Sequence, residues 1–199
     1  MLIINEKSKG VTSKMPGAYV FNGDIYSVDD GIIIDIPGTL YVVGLISAHK
    51  DIIIRCNGLI AHSIRAYGNL ISECNIEATV GGINVLQNVT VIGNIDASSD
   101  IVAVKGNLEA TGYIETRGNI EAQCDIKSGA HIKACNVESS GSVRADAGMN
   151  ITNNVIAACN VTMSACNVGG FINAGGYVLV VRGGIKCDVR AHTVISALV

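Results

Sequence analysis

The chain of 199 residues carries 14 Lys and Arg against 17 Asp and Glu, a formal net charge of −3. This balance provides no basic stripe for a phosphate backbone, so no nucleic-acid partner is expected. Hydrophobic residues make up 49% of the chain, yet there is no Trp, only two Phe and two Pro, and 23 Gly. Such a composition disfavours a helical bundle and suits many short strands joined by tight corners.

The N-terminal segment, MLIINEK, lacks the basic start and the long apolar core of a signal peptide. The aliphatic runs, such as residues 32–34, are far shorter than the roughly 18 residues that a membrane helix needs. We therefore expect a soluble cytoplasmic protein with no direct membrane insertion. The compartment would be a bacterial cytoplasm, or that of the host if the protein is phage-encoded.

A six-residue repeat dominates the middle of the chain. Aliphatic residues mark it from Ile64 to Val143, and ten of the thirteen spacings between successive marks are six residues. The residue two positions after each mark is small or β-branched, and the residue between them is often charged, as in Ile120-Glu121-Ala122. Because residues i and i+2 of a strand share a face, each hexad predicts a short strand with two inward side chains and one outward side chain.

Three such sides would close a triangular coil of about 18 residues, with successive coils about 4.8 Å apart. We predict an all-β fold, a single-stranded β-helix or β-solenoid of about eight or nine coils. Residues 40–199 are assigned to the solenoid and residues 1–39 to an N-terminal cap or irregular first coil. This coil size places Glu109 over Lys127 and Glu115 over Lys133, and it also places Asp96 unfavourably over Glu115.

All seven cysteines are followed by Asn or Asp, and six of them lie two residues before an aliphatic mark, in the slot that Gly holds elsewhere. A free thiol packs as a small hydrophobic group. The Asn or Asp that follows is expected to tolerate the left-handed backbone of a sharp corner. We therefore interpret the cysteines as structural corner residues of the repeat: Cys56, Cys74, Cys124, Cys135, Cys159, Cys166 and Cys187.

The cysteines do not form a pattern typical of a metal site. There is no CxxC motif, and the remaining ligand-like pairs are His131 with Cys135 and His49 with His62. Cys56 and Cys74 would stack in neighbouring coils, where a disulfide is conceivable, although a cytosolic setting argues against it. We expect no metal and no cofactor.

Motifs that would indicate catalysis are missing as well. The sequence contains no GxSxG elbow, P-loop or HExxH motif. Asp29 and Asp30 are adjacent, so they point to opposite sides of an extended chain, unlike an acid–base pair. In the left-handed hexapeptide acyltransferases the small residue follows the aliphatic residue by four positions, whereas here it follows by two. We predict that the protein is not an enzyme.

The phrase Gly-Asn-Ile-Glu-Ala at residues 118–122, repeated with Leu at residues 106–110, resembles the repeat of bactofilins and related polymer-forming cytoskeletal proteins. The resemblance covers about residues 40–190 and implies a right-handed triangular β-helix. The chain differs from that family in its greater length, in the absence of Pro-rich tails and in its many corner cysteines. The family is structural, so no catalytic or ligand residues carry over.

The C-terminal segment suggests how copies could assemble. The ends of a solenoid expose strand edges that must be capped or paired, and this segment is apolar, without a charged or proline-containing stop. The alternative is that the last segment folds back as its own cap. We predict end-to-end self-association, as a homo-oligomer or filament, through Tyr177, Val178, Leu179, Val180, Val194, Ile195, Leu198 and Val199.

The first functional hypothesis is therefore a self-assembling structural or scaffold protein. The alternative is a rigid protein-binding module that blocks a partner, such as a phage-encoded inhibitor of a host defence complex. A distant third is a carbohydrate-binding or tail-spike-like β-helix, which the scarcity of aromatic residues disfavours. An apolar or single-sign column of outward residues would favour the binding module, and the least charged outward residues are Thr162, Gly169 and Asn173.

Overall fold

The computed structural model describes residues 1–196, which form strands, turns and bends. Within that range no helix is long and apolar enough to cross a membrane. The strands of the first part are β1 (Leu2–Ile4), β2 (Val11–Met15), β3 (Ala18–Asn22), β4 (Ile25–Ser27), β5 (Ile32–Asp35), β6 (Thr39–Ala48), β7 (Ile52–Arg55), β8 (Gly58–Ala66) and β9 (Leu70–Ser72). Those of the middle are β10 (Asn75–Ala78), β11 (Ile83–Val85), β12 (Val89–Val91), β13 (Ile95–Ala97), β14 (Ile101–Ala103), β15 (Leu108–Ala110), β16 (Ile114–Thr116), β17 (Ile120–Ala122) and β18 (Ile126–Ser128). Those of the last part are β19 (His131–Ala134), β20 (Val137–Ser139), β21 (Val143–Ile151), β22 (Val155–Ala157), β23 (Val161–Val168), β24 (Phe171–Ala174), β25 (Tyr177–Val180), β26 (Asp188–Arg190) and β27 (Thr193–Ser196).

The strands stack in three parallel columns, so that each regular coil contributes one strand to each of three sides. Face one consists of β1, β5, β7, β9, β12, β15, β18, β21, β23, β25 and β27. Face two consists of β3, β6, β8, β10, β13, β16, β19, β21 and β23. Face three consists of β4, β6, β8, β11, β14, β17, β20, β22, β24 and β26. The four long strands β6, β8, β21 and β23 turn a corner and belong to two faces each.

The size of a coil agrees with the hexad repeat. Stacked partners are separated by 18 residues at Glu109 and Lys127 and by 19 at Asn88 and Asn107. The predicted all-β solenoid with about 18 residues per coil is thus confirmed, with about ten turns instead of eight or nine. The additional turns arise because β1, β3 and β4, in the first 27 residues, stack in parallel on later strands.

The N-terminal end also contains a hairpin. Strand β2 pairs with β3 in the antiparallel direction, with a register shift between Ser13 and Met15. Every other pairing within residues 1–196 is parallel. The hairpin therefore occupies the outer edge of β3, the first strand of face two.

Each three-residue strand from β9 to β22 buries its first and third side chains and turns the middle one outward, as the hexads predict. In β17, Ile120 and Ala122 are buried while Glu121 between them is exposed. The inward residues of successive coils form one continuous apolar core along the solenoid axis. Burial of this core supplies the main favourable free energy of the fold.

Outward charges stack at the predicted positions. Lys127 Nζ lies 2.6 Å from Glu109 Oε1, and Lys133 Nζ lies 3.3 Å from Glu115 Oε2. Asp96 is in register with Glu115, and partial burial together with that carboxylate raises the pKa of Asp96. Exposed pairs of this kind contribute little stability individually. They show which residues stack in adjacent coils, but they are not what holds the coils together.

Candidate functional sites

A regular polar feature of the surface is a ladder of side chains at the corner that leads into face one. We call it the corner ladder; it consists of Asp51, Asn69, Asn88, Asn107, Asp125, Ser142 and Asn160. In each step a side-chain oxygen accepts a hydrogen bond from the backbone N–H of the corresponding residue one coil later. The N···O distances from Asn69 to Asn160 are 2.6, 3.2, 3.0, 2.9, 2.7 and 3.4 Å, and Asn160 Oδ1 accepts from Tyr177 N at 3.0 Å. The ladder satisfies corner amides that the parallel strands do not pair.

This geometry corrects the role assigned to Asn and Asp from the sequence. Within residues 1–196 only glycines have positive φ, so these side chains do not serve a left-handed backbone. The glycine that precedes Asn in the repeat has a related explanation. A Cβ at Gly106 would lie 2.5 Å from Asn88 Oδ1, the ladder oxygen of the preceding coil. In the Gly-Asn phrase, the Asn therefore supplies one residue of the corner ladder, and the Gly leaves room for the ladder side chain of the preceding coil.

The cysteines differ more from one another than the corner interpretation suggests. Cys124 and Cys159 are exposed, and Cys135 is half-buried with its Sγ donating to Arg117 O at 2.9 Å. The half-buried Cys187 directly precedes β26. These four lie between strands.

Cys166 does not occupy a corner. It lies inside β23 in register with the buried Met149 of β21, which places its thiol on the inward side of face two. The hexad frame shifts here because β21 and β23 share an irregularity between Ala145 and Gly148. Burial raises the pKa of Cys166 to about 11, and the neighbouring Cys187 contributes.

Cys56 and Cys74 stack at one corner of neighbouring coils, as their spacing predicts. Their Sγ atoms are 3.1 Å apart. Cys56 is half-buried and Cys74 is buried, and both are free thiols. The two sulfur atoms are therefore in direct contact.

Two of the three other ligand-like histidines contact neighbouring side chains. His131 Nε2 lies 2.6 Å from Glu115 Oε1, and its ring stacks on Tyr113 with centroids 5.2 Å apart. His49 stacks on Tyr67, whereas His62 is exposed in β8. Among the residues that the structure describes, no group of three or more His, Cys, Asp or Glu side chains is placed to hold a metal ion.

Asp30, one of the two adjacent carboxylates, forms salt bridges. Lys50 Nζ and the N-terminal amino group each lie 2.9 Å from its carboxylate oxygens. The hydrogen bond from Lys50, joined by that from the amino terminus, lowers the pKa of Asp30 to about 2. An ionised, salt-bridged carboxylate of this kind is a poor general acid at neutral pH.

The C-terminal end of the solenoid divides the predicted association residues into two groups. Strand β25, with Tyr177, Val178, Leu179 and Val180, is paired with β23 on one side and β27 on the other. Val178 and Val180 are fully buried core residues. These four residues therefore do not form a free strand edge, because β27 adds one more strand beyond them.

Strand β27 is the last described strand of face one. Within residues 1–196 its described partner is β25 alone. Val194 lies in register with the buried Val178 but is 48% exposed, and Ile195 is 53% exposed. Leu198 and Val199 lie outside the described residues. In this strand, one inward apolar position that is covered elsewhere in the solenoid is open, that of Val194.

The two ends of the solenoid are unequal. On face two the last described strand segment is residues 165–168 of β23, and no described strand pairs with it on the C-terminal side. At the N-terminal end, the hairpin strand β2 covers β3, and Ile4 and Ile25 of the first coil are buried. Among the described strands, the hairpin thus distinguishes the two ends, while β1 and β4 at the N-terminal end and β26 and β27 at the C-terminal end each have one parallel partner.

One outward column is apolar. Ile3, Ile33, Ile53 and Ile71 are in register on the outer side of face one, and we call them the isoleucine stripe. Ile3 is 55% exposed and Ile71 40% exposed. The column continues with Thr90, then with the charged residues Glu109, Lys127 and Arg144, and finally with Thr162, Leu179 and Ile195. The isoleucine stripe thus occupies the N-terminal part of this column, and Thr162, one of the weakly charged residues that the sequence singled out, lies in its C-terminal part.

The parallel coils, the single axial core and the corner ladder define the chain as a β-solenoid protein. Comparison with protein-family models, with curated proteins and with solved structures finds no significant match for this chain. A fold of this class hosts many functions, so the function must be argued from its surfaces.

Proposed function

We propose that the protein is a non-enzymatic scaffold that self-associates through the C-terminal end of its solenoid. The proposal agrees with the repeat-level resemblance to bactofilin-like polymer-forming proteins. The observation that carries it is the open last coil, in which Val194 is 48% exposed at a position whose counterpart in the coil below is fully buried. Strand addition would satisfy the free N–H and C=O groups of β27 and cover Val194.

The ends favour one mode of pairing. In a head-to-tail stack, the C-terminal end of one copy would meet hairpin strand β2 on face two of the next copy. When two C-terminal ends meet, no hairpin intervenes, and β27 can pair with its counterpart across a two-fold axis. A closed two-fold interface of this kind gives a dimer. A filament would need a second contact at the N-terminal end.

Size-exclusion chromatography with light scattering tests this assembly. We expect the full chain to dimerise in a concentration-dependent manner, and Val194→Lys to raise the dissociation constant at least about tenfold, since a buried unpaired charge is costly. Val80→Lys is the matched control, because Val80 is 68% exposed in a turn remote from β27. A wild-type chain that stays monomeric at high concentration would contradict the proposal and favour a self-capped end.

The isoleucine stripe supports a second candidate function, a rigid module that binds another protein and blocks it. Four stacked isoleucines on a flat parallel sheet form a preorganised apolar surface. A phage-encoded inhibitor of a host defence complex is one form that such a module could take. The second candidate requires a partner of different sequence, whereas the first requires only copies of this chain.

Capture from a host lysate separates the two candidates. If the stripe binds a partner, Ile71→Lys is expected to abolish capture of that partner, because it places a charge in the apolar contact. Thr90→Lys, one coil along the same column, is the control that keeps the stripe intact. Equal capture by both variants would remove the stripe from consideration, and neither variant should alter dimerisation through β27.

A further inference from the structure

We propose that Cys56 and Cys74 form a redox-active dithiol that closes reversibly to a disulfide between two adjacent coils. The two Sγ atoms are 3.1 Å apart, and the residues are 18 positions apart in sequence. The strands before them, β7 and β9, are held in register at Ile54 and Ser72, and Glu73 N donates to Ile54 O at 3.0 Å. The backbone ladder therefore holds the two thiols in contact.

The surroundings of the pair stabilise a thiolate. Ser72 Oγ lies 3.5 Å from Cys74 Sγ; the Ser72 hydroxyl donates to Cys74 O at 2.9 Å and accepts from Cys74 N at 3.2 Å. A hydrogen bond from the Cys56 thiol, aided by the Ser72 hydroxyl and backbone N–H groups, lowers the pKa of Cys74 to about 7 although burial opposes it. The same hydrogen bond, together with burial, raises the pKa of Cys56. The pair thus releases one proton near neutral pH and retains the second.

A small oxidant can reach this pair from one side. Cys56 lines an open groove of about 520 Å³, together with Lys7, Pro37 and Arg55. Cys74 lies behind it and is only 5% exposed. Because the Cys56 thiol donates its hydrogen bond to the Cys74 thiolate across the S···S contact, Cys74 can accept the proton of Cys56 as Cys56 attacks an oxidant in the groove. Cys56 is therefore the attacking sulfur and Cys74 the resolving sulfur.

Hydrogen peroxide is the oxidant in the proposed reaction. The Cys56 thiolate attacks one peroxide oxygen, the O–O bond breaks, and the products are a sulfenic acid and, after protonation, water. Cys74 then attacks the sulfenic sulfur, forms the S–S bond and releases a second water. In sum, two thiols and one peroxide give one disulfide and two waters, with two electrons passing from sulfur to oxygen. A small dithiol reductant reverses the closure.

The other cysteines have surroundings that differ from those of Cys56 and Cys74. Cys124 and Cys159 are exposed, and their backbone N–H groups pair with Gly106 and Gly141 of the preceding coil, so each stacks on a glycine instead of a thiol. Cys166 and Cys187 influence each other, but burial raises the pKa of both thiols. A reaction that requires a thiolate at neutral pH should therefore select Cys56 and Cys74.

Oxidation of the reduced full-length chain tests the site. With one equivalent of hydrogen peroxide at pH 7, we expect the free thiols to fall from seven to five and the intact mass to fall by two hydrogen atoms. Peptide mapping should locate the link at Cys56 and Cys74, and dithiothreitol should restore all seven thiols. Mapping on the wild-type chain does not depend on how any variant folds.

Two variants sharpen the result. Cys74→Ser should stop the reaction at a Cys56 sulfenic acid that dimedone traps, while Cys135→Ser, the control, should still close the link. The rate of closure should rise as the pH increases through about 7, where the first thiolate forms. A link mapped to any other pair, or a chain that keeps seven thiols, would overturn the proposal. The outcome is independent of dimerisation through β27.

Discussion

Replacing Ile114 by Ala is expected to lower the free energy of unfolding by about 2–5 kcal/mol. Ile114 is fully buried in the inward column of face two, between Ile95 below and Ile132 above. The neighbours belong to strands fixed by parallel hydrogen bonds, so they cannot collapse into the cavity that the truncation leaves. The loss should therefore include both the transfer term and the cavity term. Urea denaturation followed by circular dichroism measures it.

Ile71→Ala is the matched control for this prediction. It makes the same truncation in a short strand, β9, but its side chain points outward and is 40% exposed. We expect a change of less than about 1 kcal/mol, because little apolar surface is returned to water. Equal losses in the two variants would mean that the inward and outward sides of the strands are wrongly assigned.

Replacing Asn88 by Ala is expected to lower the free energy of unfolding by about 1–2 kcal/mol. Asn88 is a central rung of the corner ladder: its Oδ1 accepts from Asn107 N at 3.0 Å, and its Nδ2 donates to Asn69 Oδ1 at 3.1 Å. The truncation removes both bonds and leaves the Asn107 amide without its protein acceptor. Thermal unfolding measures the loss, and amide hydrogen exchange at Asn107 should accelerate.

Asn84→Ala is the control for the ladder. Asn84 is the outward residue of β11, and its side chain makes no hydrogen bond among the described residues. We expect its removal to change stability by no more than about 0.5 kcal/mol. If Asn84→Ala proved as costly as Asn88→Ala, the ladder would carry no special share of the stability.

Much of the fold follows from the repeat because a solenoid is nearly one-dimensional. A period of six identifies which residues point inward, and three sides per coil then determine which residues stack. The sequence alone therefore determined the β-solenoid class, the coil of about 18 residues, the pairing of Glu109 with Lys127, and the stacking of Cys56 on Cys74. Each of these depends only on spacing along the chain.

The remaining features depend on contacts that spacing does not specify. The corner Asn residues serve the backbone N–H of the next coil, and that partner is visible only once the coils are stacked. The position of Cys166 depends on an irregularity inside β21 and β23, which shifts the inward set of side chains.

Which strands form the two ends of the solenoid was likewise determined only by the tertiary structure. The first 27 residues carry no regular hexads, yet β1, β3 and β4 join the parallel columns. The apolar C-terminal strands look alike in sequence, but β25 has a strand on each side, whereas β27 has one described partner, β25. An internal strand and an end strand need the same β-forming residues, and only the presence of a neighbour distinguishes them.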